Sequence, residues 1–111
     1  MTLHEEHQLT QALGRSYYLM GQPVWLSSVR GANFSITYNN LSDRWDALAS
    51  IYGKKIAWSD AFTAVNALES LRGSIEYLMG PRPRWYQFRR KEEHRKLLGM
   101  VERITQVEGH L

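Results

Sequence analysis

The chain has 111 residues, no cysteine, and fourteen Lys and Arg against eleven Asp and Glu, for a formal charge of +3; that length suits one domain that hides roughly two-thirds of its unfolded surface. Lack of cysteine excludes disulfides, thiolate metal sites and thiol nucleophiles, and it suits a reducing compartment. No stretch approaches the roughly 18 apolar residues that span a bilayer, and Met1-Thr2-Leu3-His4-Glu5-Glu6 has neither the basic start nor the apolar run of a leader, so a soluble cytoplasmic protein with no membrane attachment is expected.

Thr2 with Glu5 three residues on makes a capping box, and Leu9, Leu13, Tyr17 and Met20 follow at helical spacing until Gly21 and Pro23. A first helix over about 3 to 20 is predicted. In "VWLSSVRGANFSITYNN" the period changes: Phe34, Ile36 and Tyr38 alternate with Ser35 and Thr37, and Arg30-Gly31 offers a turn. This predicts a hairpin with strands near 23 to 29 and 33 to 39. Ser42 then reads as the N-cap of a short helix in which Trp45, Leu48, Ala49 and Tyr52 share a face and Gly53 is the stop.

Ser59 reads as the cap of a central helix, with Phe62, Val65, Leu68, Leu71, Ile75 and Leu78 forming one stripe before Gly80-Pro81. Pro83 suits the first turn of a last helix. The apolar stripe of that helix is interrupted: Trp85 and Phe88 lie at one end and Leu97, Leu98, Val101, Ile104 and Val107 at the other, while "RRKEEHRK" between them contains nothing apolar. The fold class expected is thus α+β, mainly helical: N-terminal helix, β-hairpin, short helix, and two long antiparallel helices joined across Gly80 to Arg84, all in one domain over 1–111. The expected core includes Leu13, Phe34, Ile36, Trp45, Leu48, Phe62, Val65, Leu68, Leu71, Ile75, Leu78, Trp85, Phe88, Val101 and Ile104.

Charge is the main functional signal. Seven of the fourteen Lys and Arg fall between Arg82 and Lys96 with only two acids among them, leaving the rest of the chain slightly acidic. Burying such groups unpaired costs several kcal/mol each, so the segment must face water or a partner. One reading is a solvated helix held by its own pairs, Arg89 with Glu92 or Glu93 and Glu92 with Lys96. The other is an anionic ligand, most economically the backbone of a nucleic acid, which clustered Arg and Lys grip by releasing counterions. Arg outnumbers Lys five to two here, and its planar fork suits bidentate phosphate contact. The candidate contacts are Arg82, Arg84, Tyr86, Arg89, Arg90, Lys91, Arg95 and Lys96, with Lys54 and Lys55 as outriders. Trp85 and Phe88, three residues apart, fit core anchors better than bases' stacking partners, whereas Tyr86 lies on another face and is the freer ring.

Other chemistries find less support. Ala49 and Gly53 between two apolar segments resemble a helix-turn-helix, but Gly53 to Trp58 is too long for its turn and the following helix would offer Asp60, Thr63 and Asn66 to phosphates. His4 and His7 are three apart rather than four and lack a third ligand. Neither Asp43 with Asp46 nor Glu69 with Glu76 departs from solvated helical spacing, and Ser27-Ser28 has no base nearby. The expectation is a non-catalytic regulatory or accessory protein, without cofactor or metal, that contacts nucleic acid. The alternative is an adaptor or inhibitor that docks on another protein, including a nucleic-acid enzyme, through surface Arg and aromatic residues such as Trp25, Tyr38, Tyr17 and Tyr18; a homodimer hiding spare aromatics is a third arrangement.

Overall fold

A computed structural model describes residues 1–111. The element order is α1 (Leu3–Leu13), β1 (Tyr17–Leu19), β2 (Gln22–Val29), β3 (Ala32–Asn39), β4 (Arg44–Ile51), β5 (Lys54–Ala61), α2 (Ala64–Met79) and α3 (Phe88–Glu108). The five strands form one antiparallel meander, with spatial order following chain order. With 43% of residues in helix and 32% in strand, the expectation of a mainly helical chain with a single hairpin is overturned.

Three of the four connections are two-residue turns, Met20-Gly21, Arg30-Gly31 and Tyr52-Gly53, as the registers Leu19 with Gln22, Val29 with Ala32 and Ile51 with Lys54 require. Both residues of each turn have positive φ, the geometry whose twist matches that of the flanking strands. Glycine supplies the second position at no steric cost. Gly21 and Gly53, expected to end helices, therefore turn hairpins. At the remaining connection Asn39 Oδ1 accepts from the backbone N–H of Leu41 at 3.0 Å and of Ser42 at 3.4 Å, so Ser42 belongs to a turn and caps nothing.

The predicted helix from Ser42 to Gly53 is β4. Trp45, Ala47 and Ala49 are buried and alternate with half-buried neighbours, an arrangement of period two that the helical spacing of Trp45, Leu48, Ala49 and Tyr52 conceals. Trp45 stands beside Trp25 and Tyr38, with ring centroids 6.0 and 5.4 Å away. Trp25 and Tyr38 are accordingly core residues and unavailable as an interface. Tyr17 and Tyr18 lie in β1, not in the first helix, which stops at Leu13.

The expected pair of long antiparallel helices spanning Ser59 to Gly80 and onward from Pro83 is absent. Ser59 to Ala61 complete β5, where Ser59 Oγ donates to the carbonyl of Ala67 at 2.8 Å, and Thr63 caps α2 by accepting from the N–H of Asn66. Residues 80–87 are non-helical, and α3 begins only at Phe88. Phe62, Leu78, Trp85 and Phe88, assigned to the core, are all exposed, and Leu13, Leu48, Val65 and Val101 are half-buried.

The helices cover one face of the sheet. From that face Phe34, Ile36, Trp45 and the small side chains of Ala47 and Ala49 meet Ala64, Ala67, Leu68, Leu71 and Ile75 of α2 and Leu97, Met100, Ile104 and Val107 of α3. The predicted capping box holds α1: Thr2 Oγ1 accepts from Glu5 N–H at 3.1 Å and Glu5 Oε1 accepts from Thr2 N–H at 3.2 Å. Glu5 also reaches across the molecule, its Oε2 accepting from the N–H of Ala64 at the start of α2. Arg72 fastens α2 to α3 by donating to Glu108 Oε2 at 2.8 Å, with Glu76 3.2 Å from its other arm. These carboxylates, Glu108 first, raise the Arg72 pKa above its ordinary value. No helix is long and apolar enough to cross a membrane.

Candidate nucleic-acid interface

Residues 80–96 contain no buried residue. Proline at 81 and 83 removes two backbone donors and disfavours helix in the residues that precede them, so the chain leaves α2 as an extended connector. Arg84 and Gln87 close a small turn in it, Arg84 N–H donating to Gln87 Oε1 and Gln87 N–H to the Arg84 carbonyl, both at 3.0 Å. The first nine residues of α3 then contain no buried residue, the first being Leu97, although Lys96 already touches the β2–β3 turn.

Arg82, Arg84, Arg89, Arg90 and Arg95 are exposed and Lys91 and Lys96 half-buried. None of the seven is in an ion pair; the three pairs in the molecule are Arg44–Asp60, Arg72–Glu76 and Arg72–Glu108. The internal pairs expected of a merely solvated helix, from Arg89 to Glu92 or Glu93 and from Glu92 to Lys96, do not form. Local electrostatics are also unfavourable to the bare segment. The first turn of α3 has no acidic residue and its N-cap, Gln87, makes no side-chain capping bond, so Arg89, Arg90 and Lys91 add positive charge to the positive end of the helix dipole.

Aromatic rings stand among these cations. Trp85 is 77% exposed, Phe88 76% and Tyr86 52%. Trp85 and Tyr86 meet edge to face with centroids 5.8 Å apart, and Arg84 Nη1 lies 3.4 Å from the Tyr86 hydroxyl. The expectation that Trp85 and Phe88 anchor the core fails because the helix they were to anchor starts only at Phe88 and its first buried residue is Leu97.

The candidates do not all share one surface. Arg82, Arg84, Tyr86, Arg89, Arg90 and Lys91 belong to the connector and the first turn of α3, whereas Lys96 turns back to the sheet. Its ammonium donates to the Arg30 carbonyl at 2.9 Å and stands 4.9 Å from the centre of the Tyr52 ring. Lys54 and Lys55 are exposed at the start of β5, next after the Tyr52-Gly53 turn. Two further cations, Arg30 and Arg103, line a groove with Arg95 and Lys96. They escaped notice because they lie far from the basic run in sequence; positions 92, 96, 99 and 103 share a helical stripe, which is the only signal that could have linked Arg103 to it.

The uncovered face of the sheet has a different character. Asp46 and Asp60 are directly opposite one another on β4 and β5. Arg44 Nε lies 3.0 Å from Asp60 Oδ2, at an angle too poor for a hydrogen bond, and its guanidinium stacks over Phe62 at 4.4 Å. Exposed Leu26 and Trp58 lie in the cross-strand row of Ser35 and Leu48. Phosphates would meet carboxylates here, so the segment 80–96 is where an anionic polymer fits. Compared with models of known protein families, with curated proteins and with solved structures, the chain matches none.

Proposed function

We propose that this is a non-catalytic accessory or regulatory protein of the cytoplasm that binds single-stranded nucleic acid along the unburied segment from Arg82 to Lys96, chiefly through the connector and the first turn of α3. One observation carries the reading: seven cations without a carboxylate partner share an unburied segment with three solvent-facing rings. Guanidinium and ammonium groups in that state exchange counterions for phosphates, and exposed rings stack on bases of any sequence. Single strands suit the segment better than duplex, because stacking needs bases whose faces are free. The cytoplasmic assignment is supported by the cysteine-free composition.

The deciding measurement is fluorescence anisotropy of a labelled, hydroxyl-ended strand of roughly 12 nucleotides, within the site sizes common for such proteins. Log affinity should fall linearly with log salt, with a slope of about −3 to −5 for four to seven phosphates at about −0.7 each. Arg89, Arg90 and Lys91 replaced together by Glu should abolish binding. A wild-type protein that ignores the strand at low salt would sink the proposal. A protein partner would then be favoured, and the open sheet face with Leu26 and Trp58 rimmed by Asp46 and Asp60 is the surface that supports it.

A further inference from the structure

Between the second half of β2 and the middle of α3 lies a groove of about 380 Å³. Its apolar lining is Val29, with the edges of the core residues Ala32, Phe34 and Met100 beneath, and its rim holds Arg30, Arg95, Lys96 and Arg103 against the single carboxylate of Glu92. Two hydrogen bonds tie α3 to the rest of the fold along it. At the hairpin end Lys96 donates to the Arg30 carbonyl; at the other, Arg103 Nη2 donates at 2.8 Å to the carbonyl of Ala12, where α1 finishes. Lys96 and Arg103 are about 10 Å apart along the helix at about 1.5 Å per residue. A space of this size suits a small molecule or a chain terminus better than the length of a polymer.

The cations keep donors in reserve. Lys96 uses one N–H on a carbonyl, and Arg103 uses one on Ala12 and one on Gln106 Oε1 at 3.3 Å; neither meets a carboxylate. With four cations facing one acid, a doubly charged anion complements the rim better than a carboxylate does. The volume lies at the small end of ligand pockets, which matches one nucleotide. Gly99 makes room for it: a glycine in mid-helix is conformationally expensive, and a Cβ built there meets nothing within 4 Å.

We propose that this groove binds an organic phosphomonoester of nucleotide size, its phosphate held by Arg30, Arg95, Lys96 and Arg103 and its body lying between Val29 and Gly99. The site goes beyond the strand-binding reading, sharing with it only Arg95 and Lys96. Two sources carry this chemistry, a free mononucleotide and the phosphorylated end of a strand.

Calorimetric titration of the full chain with adenosine 5′-monophosphate and with inorganic phosphate tests the proposal, alongside strands ending in a phosphomonoester or a hydroxyl. The mononucleotide should bind saturably and more tightly than inorganic phosphate, and Arg103→Gln should weaken it at least tenfold. Because Arg103 also touches α1, Gly99→Leu is the second variant: it fills the groove from an open helical position, should leave the melting temperature no lower, and should weaken the mononucleotide at least tenfold. A terminal phosphate that tightens strand binding about fivefold in the wild type and not in Gly99→Leu assigns the site to strand ends. Mononucleotide binding without that preference assigns it to the free nucleotide. Absence of both, equal affinity for inorganic phosphate, or binding that survives Gly99→Leu would overturn the proposal. The hydroxyl-ended strand lacks the terminal phosphate, so its failure to bind would sink the strand reading while leaving the mononucleotide result intact.

Discussion

Gly31 decides more than its own turn. Its φ of +82° suits glycine, and a Cβ there would come within 2.6 Å of the Tyr52 ring, the ring on which Lys96 rests. The Tyr52 N–H donates to the Gly31 carbonyl at 2.8 Å, stacking one hairpin turn against the other. Gly31→Ala should therefore destabilise the protein by about 1 to 3 kcal/mol in urea denaturation, combining backbone strain with a displaced ring. Trp85 and Phe88 make the opposite case. Replacing either with Ala should leave stability within about 0.5 kcal/mol, since neither is packed, yet weaken strand binding by about 1 to 3 kcal/mol if each supports one stacked base. Loss of stability without loss of affinity would return these rings to a structural role. Their exposure could not be read from the sequence: the three-residue spacing of Trp85 and Phe88 fits a buried helical face equally well, and only the late start of α3 at Phe88 resolves it.

At the scale of elements, hydrophobic spacing recovered the strands β2 and β3 and the body of α2, and missed β1, β4 and β5. The reason for β4 lies in its composition. Ala47 and Ala49 are good helix formers, and they are buried here because the facing helix needs close approach to the sheet, with Ala64 and Ala67 on its side. Tertiary packing overrides the local preference. The capping box at Thr2 and Glu5 was legible because it is wholly local; the reach of Glu5 to Ala64 was not, because nothing in sequence separates it from any other helical carboxylate. Glu5→Ala should cost about 1 kcal/mol or more, as it removes acceptors from two helix starts at once, and thermal melting will measure it. Arg72 belongs to this scale too. Its raised pKa means that its contribution to stability is complete below the pKa of the unfolded chain and is lost only as pH rises through the higher folded value, so Arg72→Met should lower stability by about 1 kcal/mol at neutral pH, and by less in strong salt, where the ion pairs are screened.

For the molecule as a whole, the basic segment was the part of the site visible in advance, since charge density needs no knowledge of the fold. Arg30 and Arg103 became candidates only when the meander brought the β2–β3 turn to the flank of α3. The spatial order of the sheet has a kinetic consequence as well. Every strand pairs with its immediate predecessor, so the sheet can assemble by successive local closures, each spanning a short loop. Docking α3 against the end of α1 is different, since Arg103 and Ala12 are separated by 91 positions. A clasp of that separation is expected to form late in folding, so breaking it with Arg103→Gln should speed unfolding in a stopped-flow experiment while leaving the refolding limb almost unmoved. The native state would then owe its lifetime to a latch between its two ends, and its speed of assembly to a sheet that never has to look far along the chain for its next strand.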